Sequence, residues 1–503
     1  MRSFRSRIVF KTSGDTTPLD PMYIQPEIIV VVTAFAVLGM EMFLPPRHRV
    51  LETPVCLLGL STALAAVVYL MIQGDGQFLD GQFLFDGVAG WFKVSFLLAG
   101  LLTVLLSADL LNGRFKIVAG QERVLIHRGE FYTVVLFNLV GSMFLISATN
   151  LINLYVCLEL ATIPLFALVA WRRNDPLSCE AGLKYIILGA TSSAVVLFGL
   201  GLLYGLSGSV DLFTMGDNLI FGPATKLAIA MVVVGVGFKL TLVPFHMWAA
   251  DVYRGAPLPV AAYLSVASKA AGLAFMFQLF YRVLGNVLLD VSMALAVLAA
   301  VTMTLGNLVA VVQTNVKRFM AFSAISQAGY LIMGFLAPSG APSMVYYMLV
   351  YVVTNMVVFG VLVFYLNETG REEIEDYRGL AGTNPWIALV MMLGLFSLAG
   401  IPPLSGFVGK FFLFSVASKA GFHWLVAVAA VNSTISLYYY LRIVRQMYIE
   451  PGFGDDPPIR ASASIVTALA VSTVLMVVLG IVPFFYETIY EQTRDWIAVA
   501  EVR

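Results

Sequence analysis

Apolar runs of about 20 residues recur along almost the whole chain, separated by short stretches carrying charge, Gly or Pro. At about 1.5 Å per residue, one such run crosses the roughly 30 Å hydrocarbon core of a bilayer as a helix. The pattern predicts about 14 spanning helices, centred near residues 35, 62, 101, 140, 160, 193, 237, 270, 300, 328, 355, 400, 432 and 475. They are numbered 1 to 14 in chain order. The twelfth is long and interrupted by Pro402 and Pro403. The longest connections, near 73–88, 112–130, 207–224, 367–385 and 450–462, are too short for a soluble domain. The expected fold class is an all-α polytopic membrane protein.

Composition sharpens this picture. Of 503 residues, 59% are hydrophobic and 12% charged, whereas a soluble domain carries about 25% charged residues. Thirty basic and thirty acidic residues cancel, so nothing points to nucleic acid or to a charged soluble partner. Cys56, Cys157 and Cys179 show no redox or metal-ligand spacing, and the four His are scattered. They read as small apolar side chains and isolated imidazoles, with no metal or haem site. No GxxxxGK[ST] phosphate loop and no GxGxxG after a strand occurs.

Basic residues in the loops set the expected orientation. The odd-numbered loops hold Arg47, Arg49, Arg114, Lys116, Arg123, Arg128, Arg172, Arg173, Arg254, Lys317, Arg318, Arg371, Arg378, Arg442, Arg445 and Arg460, and the even loops only Lys226, Arg282 and Lys419. Odd loops therefore face the cytoplasm, with both termini outside. Residues 1–21 disagree, because Arg2, Arg5, Arg7 and Lys11 fall on the outer side. That extension has no apolar core, so it is not a secretory signal, and translation starting at Met22 is the alternative.

Four ionisable residues stand inside the apolar runs. Glu159, Lys239 and Lys269 lie near the middle of their helices, and Lys410 follows the break in "LAGIPPLSGFVGKFFLF". A charge at the bilayer centre costs at least about 2.5–3.5 kcal/mol. Snorkelling spans only about four carbons, while these positions are about 15 Å from a helix end. One salt bridge locking two helices is the structural alternative for any one of them. Charges at one depth on different helices suggest a lateral relay in the membrane plane. A buried Lys and Glu titrate as one coupled unit, so changing their separation changes proton affinity.

Prolines mark where such charges can be served. Pro164 follows Glu159 by five residues and Pro244 follows Lys239 by five, freeing the carbonyls of Leu160 and Leu240. Freed carbonyls can hold water or an ammonium. Other charges carry less. Lys184 is four residues after Glu180 and reads equally well as an i,i+4 pair. His246, just past Pro244, is a proton shuttle or a structural imidazole. Glu41 and Lys93 read as interfacial, and the loop carrying Glu372, Glu373, Glu375 and Asp376 as a solvated face.

The stretch "GVGFKLTLVPFHMWAADVYRGAPLPVAAYLSVASKAAG" resembles the antiporter-like membrane subunits of proton-pumping complex I, nearest to the subunit N branch of NADH-quinone oxidoreductase. "EAGLKYIILGATSSAVVLFG", "NVKRFMAFSAISQAGYLIMG" and "LFSLAGIPPLSGFVGKFFLF" carry the same resemblance. It implies two inverted five-helix repeats, residues 131–284 (helices 4–8) and 285–449 (helices 9–13), with broken helices 7 and 12. Residues 22–130 would hold helices 1–3, and residues 450–503 helix 14 and a tail. By position, Glu159 matches the family's glutamate of helix 5, Lys239 its partner on helix 7, Lys269 the lysine of helix 8, and Lys410 that of helix 12. The resemblance further implies a bacterial inner membrane, a proton-translocating role driven by quinone reduction, and other membrane and peripheral complex I subunits as partners. NADH, FMN, iron–sulfur clusters and quinone would sit in those partners, and no cofactor in this chain. A cation/proton antiporter subunit and a purely structural scaffold are the rival readings. One departure stands out: helix 10 carries Gln327 where related subunits often have His. An amide cannot hold a proton near pH 7, so protons would pass through water around Gln327, Ser323 and Ser326, or by way of Lys317.

Overall fold

Helix boundaries fall where the sequence places local signals. Asn150, Asp175 and Asn315 cap helix starts by accepting backbone N–H bonds, and Gly208 and Gly370 close helices in the left-handed region (φ 70° and 68°). The structure is a computed structural model that describes residues 21–111, 128–285, 288–452 and 458–502. Residues 1–20 of the N-terminal extension, with Arg114, Lys116 and Arg123, lie outside the described residues.

Thirteen helices among the described residues are long and apolar enough to span a membrane. They are α1 (Pro21–Phe43), α2 (His48–Gln73), α3 (Gly87–Leu111), α4 (Arg128–Ser147), α5 (Leu151–Val169), α6 (Pro176–Ser207), α7 (Pro223–Leu240), α8 (Leu258–Val283), α9 (Asp290–Val311), α10 (Val316–Leu336), α11 (Pro338–Thr369), α13 (His423–Tyr448) and α14 (Ala463–Ile481). The expected twelfth segment is two shorter pieces, α12a (Pro385–Ala399) and α12b (Ser405–Lys419). The count of 14 segments thus holds, with one of them divided. A further helix, α15 (Phe484–Val502), follows α14, and a hairpin of β1 (Gly76–Phe78) and β2 (Phe83–Phe85) joins α2 to α3.

The helices α8, α10 and α11 are enclosed along their spans and form the centre of the bundle. Peripheral helices turn apolar side chains outward, such as Leu58 and Ile72 on α2 and Val474 on α14, as a lipid-facing surface requires. Small residues let the central helices approach. A Cβ on Gly306 would lie 2.7 Å from the Ser326 nitrogen, which puts α9 against α10.

All three proline-marked segments are interrupted. The helical run of α5 stops at Leu160 and resumes at Ile163. α7 ends at Leu240, Thr241 takes φ 62°, and a short helix, Trp248–Gly255, continues after a cis Val243–Pro244 bond. Between α12a and α12b, Gly400 takes φ 91° and Pro402–Pro403 is cis.

The structure corrects several expectations. Lys93 is not interfacial: its ammonium is fully buried, 2.7 Å from an equally buried Glu27 on α1. Arg282 does not sit in a loop but at the buried end of α8, 3.4 Å from Asp86. Glu41, expected at the interface, is near the end of α1, where it accepts from the Gly129 N–H at 2.9 Å and pairs with Arg49. The acidic loop is not simply a solvated face, because Glu372 pairs with Lys317 at 2.5 Å and Asp376 accepts from the Glu373 N–H at 2.9 Å.

Candidate functional site

Glu159 and Lys239 are each the last residue but one of a helical run, before the breaks in α5 and α7. Folding brings them together: Lys239 Nζ lies 3.8 Å from Glu159 Oε1 and donates to Thr162 Oγ1 at 2.7 Å. Lys239 is buried, while the Glu159 side chain keeps 21% of its surface exposed. The ammonium thus has an ion-pair partner beyond hydrogen-bond distance and a hydroxyl well within it.

Of the two carbonyls expected to be freed, that of Leu240 accepts from Thr241 Oγ1, and neighbouring carbonyls at both breaks accept from other side chains. Asn138 of α4 donates to the Ala161 carbonyl and accepts from Tyr263. Trp248 Nε1 donates to the Phe238 carbonyl at 3.0 Å, and Ser268 Oγ donates to the Lys239 carbonyl at 2.8 Å. The last bond ties the break of α7 to α8 one residue before Lys269. A Cβ on Gly272 would lie 3.1 Å from the Leu240 side chain, so α8 passes close to the α7 break. Lys269 itself is buried and, among the described residues, makes no ion pair.

At α12 the expectation of a carbonyl-held ammonium is met. Lys410 Nζ donates to the carbonyls of Leu398 at 2.8 Å and Ala399 at 3.1 Å, and to Ser433 Oγ at 3.2 Å. It also lies 4.5 Å from the centroid of the Tyr330 ring, a cation–π contact. These carbonyls end α12a, where partial negative charge gathers. The hydroxyl, ring and carbonyls solvate the ammonium, and no acid pairs with it among the described residues.

Gln327 is buried beside this cradle. Its amide donates to the same Leu398 carbonyl at 3.2 Å and accepts from the Tyr347 hydroxyl at 2.5 Å. Ser323 pairs with the Tyr440 hydroxyl at 2.5 Å. The other sequence candidates lie apart. Lys184 is 2.7 Å from both Glu180 and Asp251 on an exposed face, so the expected i,i+4 pair exists and gains a third member. His246 stands in the α7 break, half-buried. Lys317 is engaged by Glu372 and by the Arg254 carbonyl at 3.4 Å.

Sequence reasoning missed Thr162, Ser433, Tyr330 and Tyr347. Thr162 stood within reach, three residues after Glu159 at the proline-marked break. The other three come from helices distant in sequence, and nothing in their own segments sets them apart from core residues.

Similarity to known proteins bears on the same region. Residues 148–436 match the family model described as NADH:quinone oxidoreductase/Mrp antiporter, TM. The chain is 41% identical to the NADH-quinone oxidoreductase subunit N of Desulfitobacterium hafniense, over 91% of this chain and 95% of that protein. It is 38% identical to the subunit N of Moorella thermoacetica, over 91% of this chain and 94% of that protein. Among solved structures, a chain of respiratory complex I from Thermus thermophilus with bound Aureothin matches with TM-score 0.76 and 32% identity, covering 91% of this chain and 97% of that one. A chain of the Mrp complex from Dietzia sp. matches with TM-score 0.82 and 21% identity over 96% of this chain and 99% of that chain, which is likeness of fold.

Proposed function

The chain belongs to the NADH:quinone oxidoreductase/Mrp antiporter membrane family, in its subunit N branch, and from that premise we propose that it translocates protons through Glu159, Lys239, Lys269 and Lys410 as a membrane-arm subunit of an NADH-quinone oxidoreductase. The energy comes from quinone reduction in partner subunits, which carry NADH, FMN and the iron–sulfur clusters. The assembly sits in the bacterial inner membrane. Residues 131–284 and 285–449 act as two inverted repeats, a division supported by the breaks at the fourth helix of each set, α7 and α12.

One observation carries this reading. Of the three buried lysines of this set only Lys239 stands near a carboxylate, Glu159, and neither Lys269 nor Lys410 has an acid beside it among the described residues. Three ammonium groups against one carboxylate would leave two uncompensated charges at mid-membrane depth, each costing about 2.5–3.5 kcal/mol. The number of protons held by the set is therefore free to change, and the Glu159–Lys239 separation is the variable that changes it. A tight pair holds its proton on Lys239. An opened pair lets that proton pass to Lys269 across the Ser268 contact.

Glu159→Gln tests this in the assembled complex in membrane vesicles. Proton pumping is expected to fall on the order of 100-fold, the scale of losing a positioned proton-transfer group, with the amount of assembled complex unchanged on native gels. Pumping at the wild-type rate would leave only the scaffold reading.

A further inference from the structure

The relay meets its difficulty between Lys269 on α8 and Lys410 on α12b, because Gln327 of the intervening α10 cannot carry a proton near neutral pH. The helix α11 runs through the centre of the bundle and is buried along its span. It presents Tyr347, Tyr351 and Asn355 at i, i+4 and i+8, hence on one face and one turn apart. One end of this row touches the Lys269 helix. Tyr351 donates to the Ser265 carbonyl at 3.1 Å, Asn355 Nδ2 donates to Ser265 Oγ, and Asn355 Nδ2 donates to the Tyr351 hydroxyl at 3.3 Å. Ser265 precedes Lys269 by one helical turn on the same face of α8.

The other end touches the Lys410 cradle. The Tyr347 ring packs so closely on α12b that a Cβ added to Gly409 would lie 2.5 Å from its Cδ2. Its hydroxyl donates at 2.5 Å to Gln327, whose amide in turn holds the Leu398 carbonyl shared with Lys410. A phenol differs from an amide here. It accepts a proton on its oxygen while releasing its own, so a proton passes and the group stays neutral throughout.

Resting on the relay reading above, we propose that the Tyr351 and Tyr347 hydroxyls of α11 are the proton-passing groups between Lys269 and Lys410, and that Gln327 is a positioning residue that holds Tyr347 beside the Lys410 cradle. The crossing runs along helix 11 and not through helix 10. The Lys269 ammonium gives one N–H proton to the Tyr351 oxygen as Tyr351 releases its own, Tyr347 repeats the exchange, and a neutral Lys410 amine takes the last proton, with water bridging any hop longer than a hydrogen bond.

The test is the double variant Tyr347→Phe/Tyr351→Phe, which keeps both rings in the core and removes only the hydroxyls. Protons pumped per NADH oxidised are measured in the assembled complex beside two controls. Tyr346→Phe removes a buried hydroxyl that donates at 2.6 Å to the Leu479 carbonyl, away from this row, and is expected to pump as wild type. Lys239→Met reports on the relay itself. The double variant is expected to lose pumping at least about tenfold, the low end for a positioned proton-transfer group, with assembly intact. Normal pumping in the double variant while Lys239→Met loses it overturns the tyrosine crossing alone. Normal pumping in both overturns the relay. Should the double variant not assemble, Tyr351→Phe alone decides in the same way, by a several-fold loss or by none.

Discussion

Glu27 and Lys93 meet at 2.7 Å between α1 and α3 with no exposed side-chain surface, whereas Glu159 and Lys239 stand 3.8 Å apart between α5 and α7 with part of Glu159 exposed. Lys93 lies within an unbroken helix, and Glu27 in the first turn of the α-helical run Gln25–Phe43. The helices of the second pair are interrupted within two residues of each charge. Lys93 is further enclosed by the Phe83 and Phe85 rings, 4.5 and 4.8 Å from its ammonium. Lys239 has instead a competing partner, Thr162. Burial with one counter-charge and rigid walls makes a fixed neutral pair. A helix end, a second acceptor and an exposed edge make a pair that can open. The same two residue types therefore make a sealed clamp in one region and, in the proposed relay, a proton-holding unit in the other.

The largest expected effect lies at the clamp. Lys93→Met leaves the Glu27 carboxylate buried without a counter-charge and should destabilise the subunit by about 3–5 kcal/mol. The measurement is the amount of assembled complex and its thermal inactivation. Removing both charges in Glu27→Leu/Lys93→Met should restore most of the loss, since a well-packed apolar pair often replaces a buried ion pair at little cost. Normal assembly of Lys93→Met alone would break the contrast from this side.

The relay pair should respond in the opposite sense. Lys239→Met is expected to assemble, because Glu159 keeps solvent or partner contact at its exposed edge, while pumping falls on the order of 100-fold. A collapse of assembly comparable to that of Lys93→Met would show the two pairs to be alike. Thr162→Val sharpens the comparison at a smaller scale. Removing the competing hydroxyl forfeits a hydrogen bond worth about 1 kcal/mol and leaves Glu159 as the lysine's only named partner. Pumping should slow several-fold with stability little changed, which rate measurements across pH would follow. Lys184→Ala should change neither assembly nor pumping measurably. Its ion triad with Glu180 and Asp251 is exposed, and solvent-exposed pairs contribute little.

Much of this architecture was legible in the chain itself. The hydrophobic period located all 14 segments, and Pro164, Pro244 and Pro402–Pro403 marked the interrupted ones, because a missing N–H and a ring clash act locally. The four mid-membrane charges were equally visible, since an ionisable side chain in an apolar run stands out without any knowledge of neighbours. Lys93 was misread for the opposite reason. Six residues into its helix it looked close enough to the surface to reach water, and only the packing of α1, β2 and α3 around it closes that route. Tyr330, Tyr347 and Ser433 carried no signal, because tyrosines and serines on a buried helix are ordinary until something charged is placed against them.

What the sequence determined by itself is the set of membrane-spanning helices, their interruptions and the four ionisable residues within the apolar runs, all of which follow from backbone chemistry and the cost of charge in hydrocarbon. What only the tertiary structure decided is which partner each charge has: a carboxylate and a hydroxyl for Lys239, helix-end carbonyls for Lys410, a sealed carboxylate for Lys93 and no ion-pair partner for Lys269 among the described residues. The physical reason is range. Helix formation and breakage are settled within about four residues along the chain, while the worth of a buried charge is settled by atoms within a few ångströms in space, which come from helices far apart in sequence.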